Sequence, residues 1–207
     1  MNAVLVEGEQ RIREHLARLA RIPDAEWAFF RSLLRAERVP KHAIVLCEGE
    51  VERRMRFIVR GVFRLFRSLE EREVNLGFDG PDRFVCAYDS LVARAPSRFG
   101  LQALSAAELV VFDGAALDEL YTRHACWERV GRKLLEENYA RKVRKEDEAR
   151  TLDPLERFAR LVARAPWIRD VPQYHIASFL GIAPETLSRR LARPAAARTG
   201  SAKSCPS

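Results

Sequence analysis

Between Ala43 and Val111 the apolar residues fall into short β-rich runs: AIVL, RFIVRGVFRLF, REVNLGF, DRFVCAY, LQAL and ELVVF. On both sides of that stretch their spacing is helical. This double change of period leaves few architectures open. The runs are separated by Gly, Pro, Asp and charged clusters such as EGEVERR, EEREV and DGPD, as in a small all-β barrel or sandwich. Upstream, Ile12, Leu16, Leu19 and Ile22 form one helical stripe, and Pro23-Asp24-Ala25-Glu26 turns into a second helix bearing Trp27, Phe30, Leu33 and Leu34. Downstream, residues 115–150 read as one or two helices, with a stripe from Leu117, Leu120 and Tyr121 through Trp127, Val130, Leu134 and Leu135. A long helix between two domains is expected to be a dimer seam, with packing on the β-region as the alternative, since the stripe thins after Tyr139. The fold class is therefore α+β: an N-terminal small all-β barrel or sandwich with flanking helices, a long helix, and a C-terminal helical unit.

The next boundary is written in capping residues. In Thr151-Leu152-Asp153-Pro154, Asp153 is placed to N-cap a helix, Pro154 suits its first position, and Glu156 completes a capping box. Leu155, Phe158, Leu161 and Val162 give that helix an apolar face, and Pro166 stops it. Then comes VPQYHIASFLGIAPETLSRRL. Ile176 and Leu180 mark a short one-sided helix, and Gly181 stands where a helix ends in the left-handed conformation. Ile182 plugs the turn, and Pro184 opens a second helix whose buried face is Leu187 and Leu191. Ala177 is small where two steeply crossing helices must approach. Together these offsets are those of a helix-turn-helix. On its second helix Glu185, Ser188 and Arg189 share one exposed face. Arg reads guanine O6 and N7, Glu accepts from cytosine N4, and Ser takes either role, so this trio suits a major groove.

Charge points the same way. The net charge is +7, and from Val171 onward five cations (Arg189, Arg190, Arg193, Arg198, Lys203) face one acid, Glu185. A polyanionic partner is expected. With 47% hydrophobic and 31% charged residues the chain reads as globular. No window approaches the ~18 consecutive apolar residues of a spanning helix, and MNAVLVEGEQR lacks the basic start of a secretory signal, so a cytoplasmic home is expected. Cys47, Cys86, Cys126 and Cys205 are too scattered for a zinc site or a disulfide framework. Buried thiols are expected, and a redox role for the first three stays open.

IASFLGIAPETLSRRL resembles the C-terminal helix-turn-helix of the Crp/Fnr family of bacterial transcription regulators. FIVRGVFRLF, with Gly61 between two strand halves, resembles that family's cyclic-nucleotide-binding-like β-roll, a jelly-roll. ELVVFDGAALDELY and LDPLERFARLVARAP resemble the strand leading to its dimerisation helix and the helix opening its DNA-binding domain. The resemblance spans residues 10–193 and implies the following division: a sensor β-roll with N-terminal helices over 1–114, a dimerisation helix over 115–150, a DNA-binding domain over 151–193, and a flexible tail over 194–207. It also implies a homodimer whose recognition helices enter successive major grooves ~34 Å apart. The trio Glu185, Ser188 and Arg189 resembles the readers of palindromic TTGA-like half-sites. Gln173 and Thr186 match phosphate-holding positions, and charge alone adds Arg190 and Arg193 as backbone contacts. Expected partners are double-stranded DNA and a second copy of the chain. RNA polymerase and an unidentified effector stay open, and no membrane, metal or cofactor is expected.

The chain also departs from the family. Cyclic-AMP-binding members carry a Phe-Gly-Glu turn and then an Arg followed by small residues. Here the matching residues are Phe84-Val85-Cys86-Ala87, with Pro96-Ser97-Arg98-Phe99 downstream. Cyclic AMP is therefore not the expected signal. Arg94 or Arg98 could meet an anion, although a solvated role suits both. There is no N-terminal cysteine cluster for an iron–sulfur centre, and His15, His42, His124 and His175 are isolated. Ala183 takes the usual N-cap site of the recognition helix, a loss of about 1 kcal/mol. Arg190 replaces an aliphatic residue, and no β-wing is expected after Leu191. Two other readings remain. One is a sensing module with degenerate DNA binding that acts through protein contacts. The other is a cupin-like β-barrel enzyme, which would need clustered His and carboxylate ligands.

Overall fold

A computed structural model describes residues 3–70 and 72–192. Two antiparallel four-stranded sheets face each other. One has the order β1 (Arg35–Val39), β8 (Ala107–Asp113), β3 (Arg54–Arg60), β6 (Phe84–Val85), and the other β2 (Ile44–Leu46), β7 (Gly100–Ala103), β4 (Phe63–Leu69), β5 (Arg72–Asp79). Alternation along the strands assigns the faces. On β3, Ile58 points between the sheets with Phe63, Leu101, Leu109 and Val111, while Met55, Phe57 and Val59 point outward.

That outward face is covered by helices. α1 (Ala3–Ala17) and α2 (Asp24–Leu33) lay Ile12, Leu16, Trp27 and Phe30 on Phe57, Val110 and Phe112. From the other end of the chain, α4 (Ala116–Arg123) and α5 (Ala125–Thr151) add Leu120, Trp127 and Val130 to the same core. Three buried rings hold its centre: Phe30 lies 5.2 Å from Phe112 and 5.0 Å from Trp127, centroid to centroid. The predicted first helix begins earlier than its stripe, at Ala3, and two elements were not foreseen, β1 and the short α3 (Tyr88–Ala93).

Gly61 joins β3 to β4 at φ 105°, and a Cβ there would lie 2.6 Å from that of Ala107. Only glycine permits both the backbone angle and the approach.

The C-terminal helices are α6 (Pro154–Arg164), a 3-10 turn (Pro166–Asp170), α7 (Gln173–Leu180) and α8 (Pro184–Leu191). The capping box forms as expected, with Asp153 accepting from Leu155 N at 2.9 Å and Glu156 reaching back to Asp153 N at 3.3 Å. These helices share a core with the outer side of the β4–β5 sheet: Ile168, Ile176, Ala177, Leu180 and Leu187 close over Leu104, Val62 and Phe78.

Candidate nucleic-acid interface and sensor interior

The turn between α7 and α8 is made as the sequence dictates. Gly181 takes φ 76°, and its N–H donates to Ser178 O at 3.2 Å while Ile182 N–H reaches Ala177 O at 3.1 Å, the two bonds of a Schellman ending. Arg157 of α6 donates to the last carbonyls of α7, Leu180 O at 3.2 Å and Phe179 O at 3.4 Å, so this helix end is satisfied from outside as well. Ala177 and Leu187 are fully buried at the crossing. Ala183 gives α8 no side-chain cap, and Pro184 holds its first position.

Glu185, Ser188 and Arg189 are all exposed on α8, Thr186 is half-buried, and Gln173 is exposed as the first residue of α7. Arg190 has a partner: its Nη1 lies 2.9 Å from Asp153, so it ties α8 to the start of α6. Leu191 does not belong to the buried face expected for it. It is 41% exposed at the last position of α8, where the core has already ended. Arg193, Cys205 and the tail expected over 194–207 lie outside the described residues.

The C-terminal unit sits on the β-roll through a polar patch. Arg64 of β4 and Asn75 of β5 are buried, and both direct N–H donors at Nδ1 of His175, at 3.4 and 3.2 Å. Asn75 also donates to His175 O at 3.2 Å and from its own backbone to Ser178 Oγ at 3.0 Å. Arg64 is held in place by Gln102 at 2.7 Å and by an ion pair with Glu73. Two donors facing one ring nitrogen require an unprotonated Nδ1. Desolvation first, then the charge of Arg64, pushes the His175 pKa down to about 4. Isolated in sequence, His175 gave no sign of this position.

Within the β-roll, the stretch matched to the family's nucleotide-holding turn, Phe84-Val85-Cys86-Ala87, ends against a buried ion pair of the chain itself. Glu52 and Arg56, both almost fully buried, pair at 2.7 Å. Glu52 also accepts from the backbone N–H of Arg53 at 2.9 Å, Arg54 at 3.0 Å and Ala87 at 3.3 Å. Ala87 belongs to the aligned stretch, so its N–H is already committed to an internal carboxylate. Cys86 is half-buried, and desolvation raises its thiol to about 12, which keeps it protonated. Cys47, Cys86 and Cys126 are free thiols. Among the described residues no three His, Cys, Asp or Glu side chains gather as a metal site requires. Nor is any described helix long and apolar enough to cross a membrane.

Residues 36–124 match the model of the cyclic nucleotide-binding domain. The chain superposes on FixK2 from Bradyrhizobium japonicum with a TM-score of 0.63 at 19% identity, over 76% of this chain and 82% of that one. It superposes on CLP of Xanthomonas campestris, a c-di-GMP-responsive global regulator, with a TM-score of 0.61 at 18% identity, over 82% and 90%. The chain shares its fold with these two proteins. A CooA variant from Carboxydothermus hydrogenoformans matches the chain with a TM-score of 0.58 at 18% identity, over 77% and 75%. No curated protein matches it in sequence.

Proposed function

We propose that the chain is a DNA-binding transcription regulator of the Crp/Fnr type, acting in the cytoplasm as a homodimer on a palindromic TTGA-like operator. It works by binding and carries out no chemistry. The observation that carries this reading is the pair of short helices closed by Gly181, which leaves Glu185, Ser188 and Arg189 exposed together on α8. In this reading those three contact base edges, and Gln173 and Thr186 hold phosphates. Arg193, outside the described residues, is a phosphate contact by charge alone, and Arg190 reaches a phosphate by exchanging Asp153 for it. The division into a sensor (1–114), a dimerisation helix (115–150) and a DNA-binding unit (151–193) follows from the same reading.

The dimer is supported by α5. Leu135, Tyr139 and Val143 are 42%, 70% and 46% exposed and recur every four residues. Tyr139 and Val143 lie on the side of α5 turned away from Trp127, Val130 and Leu134, which face the β-roll, and Leu135 lies at the edge between the two sides, beside the cavity there. An apolar stripe left bare on a long helix fits a second copy of that helix. Cyclic AMP is not the signal in this reading, because the Phe-Gly-Glu turn is replaced and the Ala87 N–H in its place already donates to Glu52, which also pairs with Arg56.

Fluorescence anisotropy with a palindromic TTGA duplex and a scrambled control, at two salt concentrations, tests the proposal. Wild type should prefer the palindrome, and Arg189→Ala should lose that preference at a cost of about 1–3 kcal/mol. Equal weak binding to both duplexes, unchanged by Arg189→Ala, would leave only the sensing module with degenerate DNA binding.

A further inference from the structure

The main helical core contains a cavity of 240 Å³ between the outward face of the β1–β8–β3–β6 sheet and α5. Its walls are core side chains, among them Phe30, Phe112, Leu120 and Trp127, which elsewhere pack without gaps. For scale, an apolar cavity of about 150 Å³ accommodates benzene. One end is polar, formed by Asp79, Asn138 and Arg141. The same three residues line a second cavity of 360 Å³, between α5, β5 and the C-terminal helices, where Arg83, Lys145 and Arg157 join them. The two spaces therefore meet at the Arg141–Asp79 ion pair, which is 2.9 Å long.

Charge at that junction does not balance. Asp79, Glu146 and Glu148 line the second cavity against Arg83, Arg141, Lys142, Arg144, Lys145, Arg157 and Arg164, and Arg141, Arg83 and Lys145 all act on Asp79. Lys145 donates to Leu76 O, while the charges of Arg141 and Arg157 oppose its own. Burial first, and then the neighbouring cations, lower the pKa of both Lys145 and Arg83 although Asp79 opposes the shift, the result expected where cations outnumber anions. An apolar body ending in one negative charge would fill the first space and answer the excess in the second.

We infer that this cavity binds an amphipathic anion, a medium-length alkyl chain lying against Phe112 and Trp127 with its acidic head at Arg141. A carboxylate and a phosphate monoester share that chemistry. The site deepens the regulator reading by naming the class of its effector, and it rests on that reading only for any coupling to DNA.

Isothermal titration calorimetry on the full chain, without DNA, tests the site using decanoate, decyl phosphate and decanol. Decanoate should bind once per chain and shift the emission of Trp127. Arg141→Gln should weaken decanoate about tenfold, the share of one charge-assisted hydrogen bond, and leave decanol within about twofold. Asp79→Asn should strengthen decanoate by removing the competing carboxylate. Leu134→Trp, on the cavity wall, should abolish binding of all three while its circular dichroism stays native. Tighter binding of decyl phosphate than of decanoate assigns the head to a phosphate monoester, and the reverse order to a carboxylate. The inference falls if no chain binds, if decanol binds as tightly as decanoate, or if a folded Leu134→Trp binds like wild type. Since no DNA is present, failure of the operator reading leaves this result standing, and the converse also holds.

Discussion

The interior of the β-roll and the seam between the roll and the C-terminal helices are built on different plans. The interior is lined by fully buried aliphatic and aromatic side chains, and its one ion pair, Glu52–Arg56, is surrounded by backbone donors and acceptors. The seam places a guanidinium, an amide and an imidazole in contact, beside a cluster that includes Phe78 and Phe179. Dry packing gives up its full transfer free energy when it opens. A polar contact is largely replaced by water, so its net contribution is near ~1 kcal/mol per hydrogen bond. The comparison teaches that the roll is built to stay shut, while the helical unit is held partly by apolar packing on Leu104, Val62 and Phe78 and partly by polar bonds that can be exchanged.

The largest test of that contrast lies in the interior. Glu52→Ala removes one partner of a buried pair and strands the N–H groups of Arg53 and Arg54, so urea denaturation should register a loss of about 3–5 kcal/mol. A loss under about 1 kcal/mol would mean that the interior is as exchangeable as the seam. A smaller effect belongs to His175, which faces Arg64, with Glu73 and His42 nearby. Its folded pKa is about 4, against about 6.5 unfolded. Between those values the unfolded chain binds more protons, so stability rises with pH. The contribution is complete above about pH 6.5 and is lost as pH falls toward 4. Melting temperature should therefore drop through that window, and His175→Gln should flatten the drop. An unchanged slope in the variant would place the acid sensitivity elsewhere. The smallest effect is at the turn: Ala183→Ser supplies the missing cap of α8 and should stabilise the chain by about 1 kcal/mol or less, measured by thermal melting.

Much of this architecture is legible in the sequence wherever it depends on neighbours in the chain. The change of period, the Asp153–Glu156 box and the left-handed Gly181 are local choices of backbone and cap, and each stands as the residues dictate. What the sequence hides depends on distance. His175 meets Asn75 across 100 residues, and nothing in either segment signals the other. EGEVERR reads as a solvated turn, yet Glu52 is buried because the N–H groups of its own loop fold around its carboxylate. In the candidate interface the exposure of Glu185, Ser188 and Arg189 follows from helical spacing. The pairing of Arg190 with Asp153 does not, because it depends on where α6 begins relative to α8.

The length of α5 has a mechanical consequence. With 27 residues it spans about 40 Å. Its first turns are fixed in the helical core by Trp127 and Val130, and near its far end Glu148 is gripped by both guanidinium nitrogens of Arg164 in α6. Such a rod is a lever: a tilt of about 10° at the anchored end carries the other end roughly 7 Å. Displacements too small to disturb the core would be magnified into a movement of the C-terminal helices.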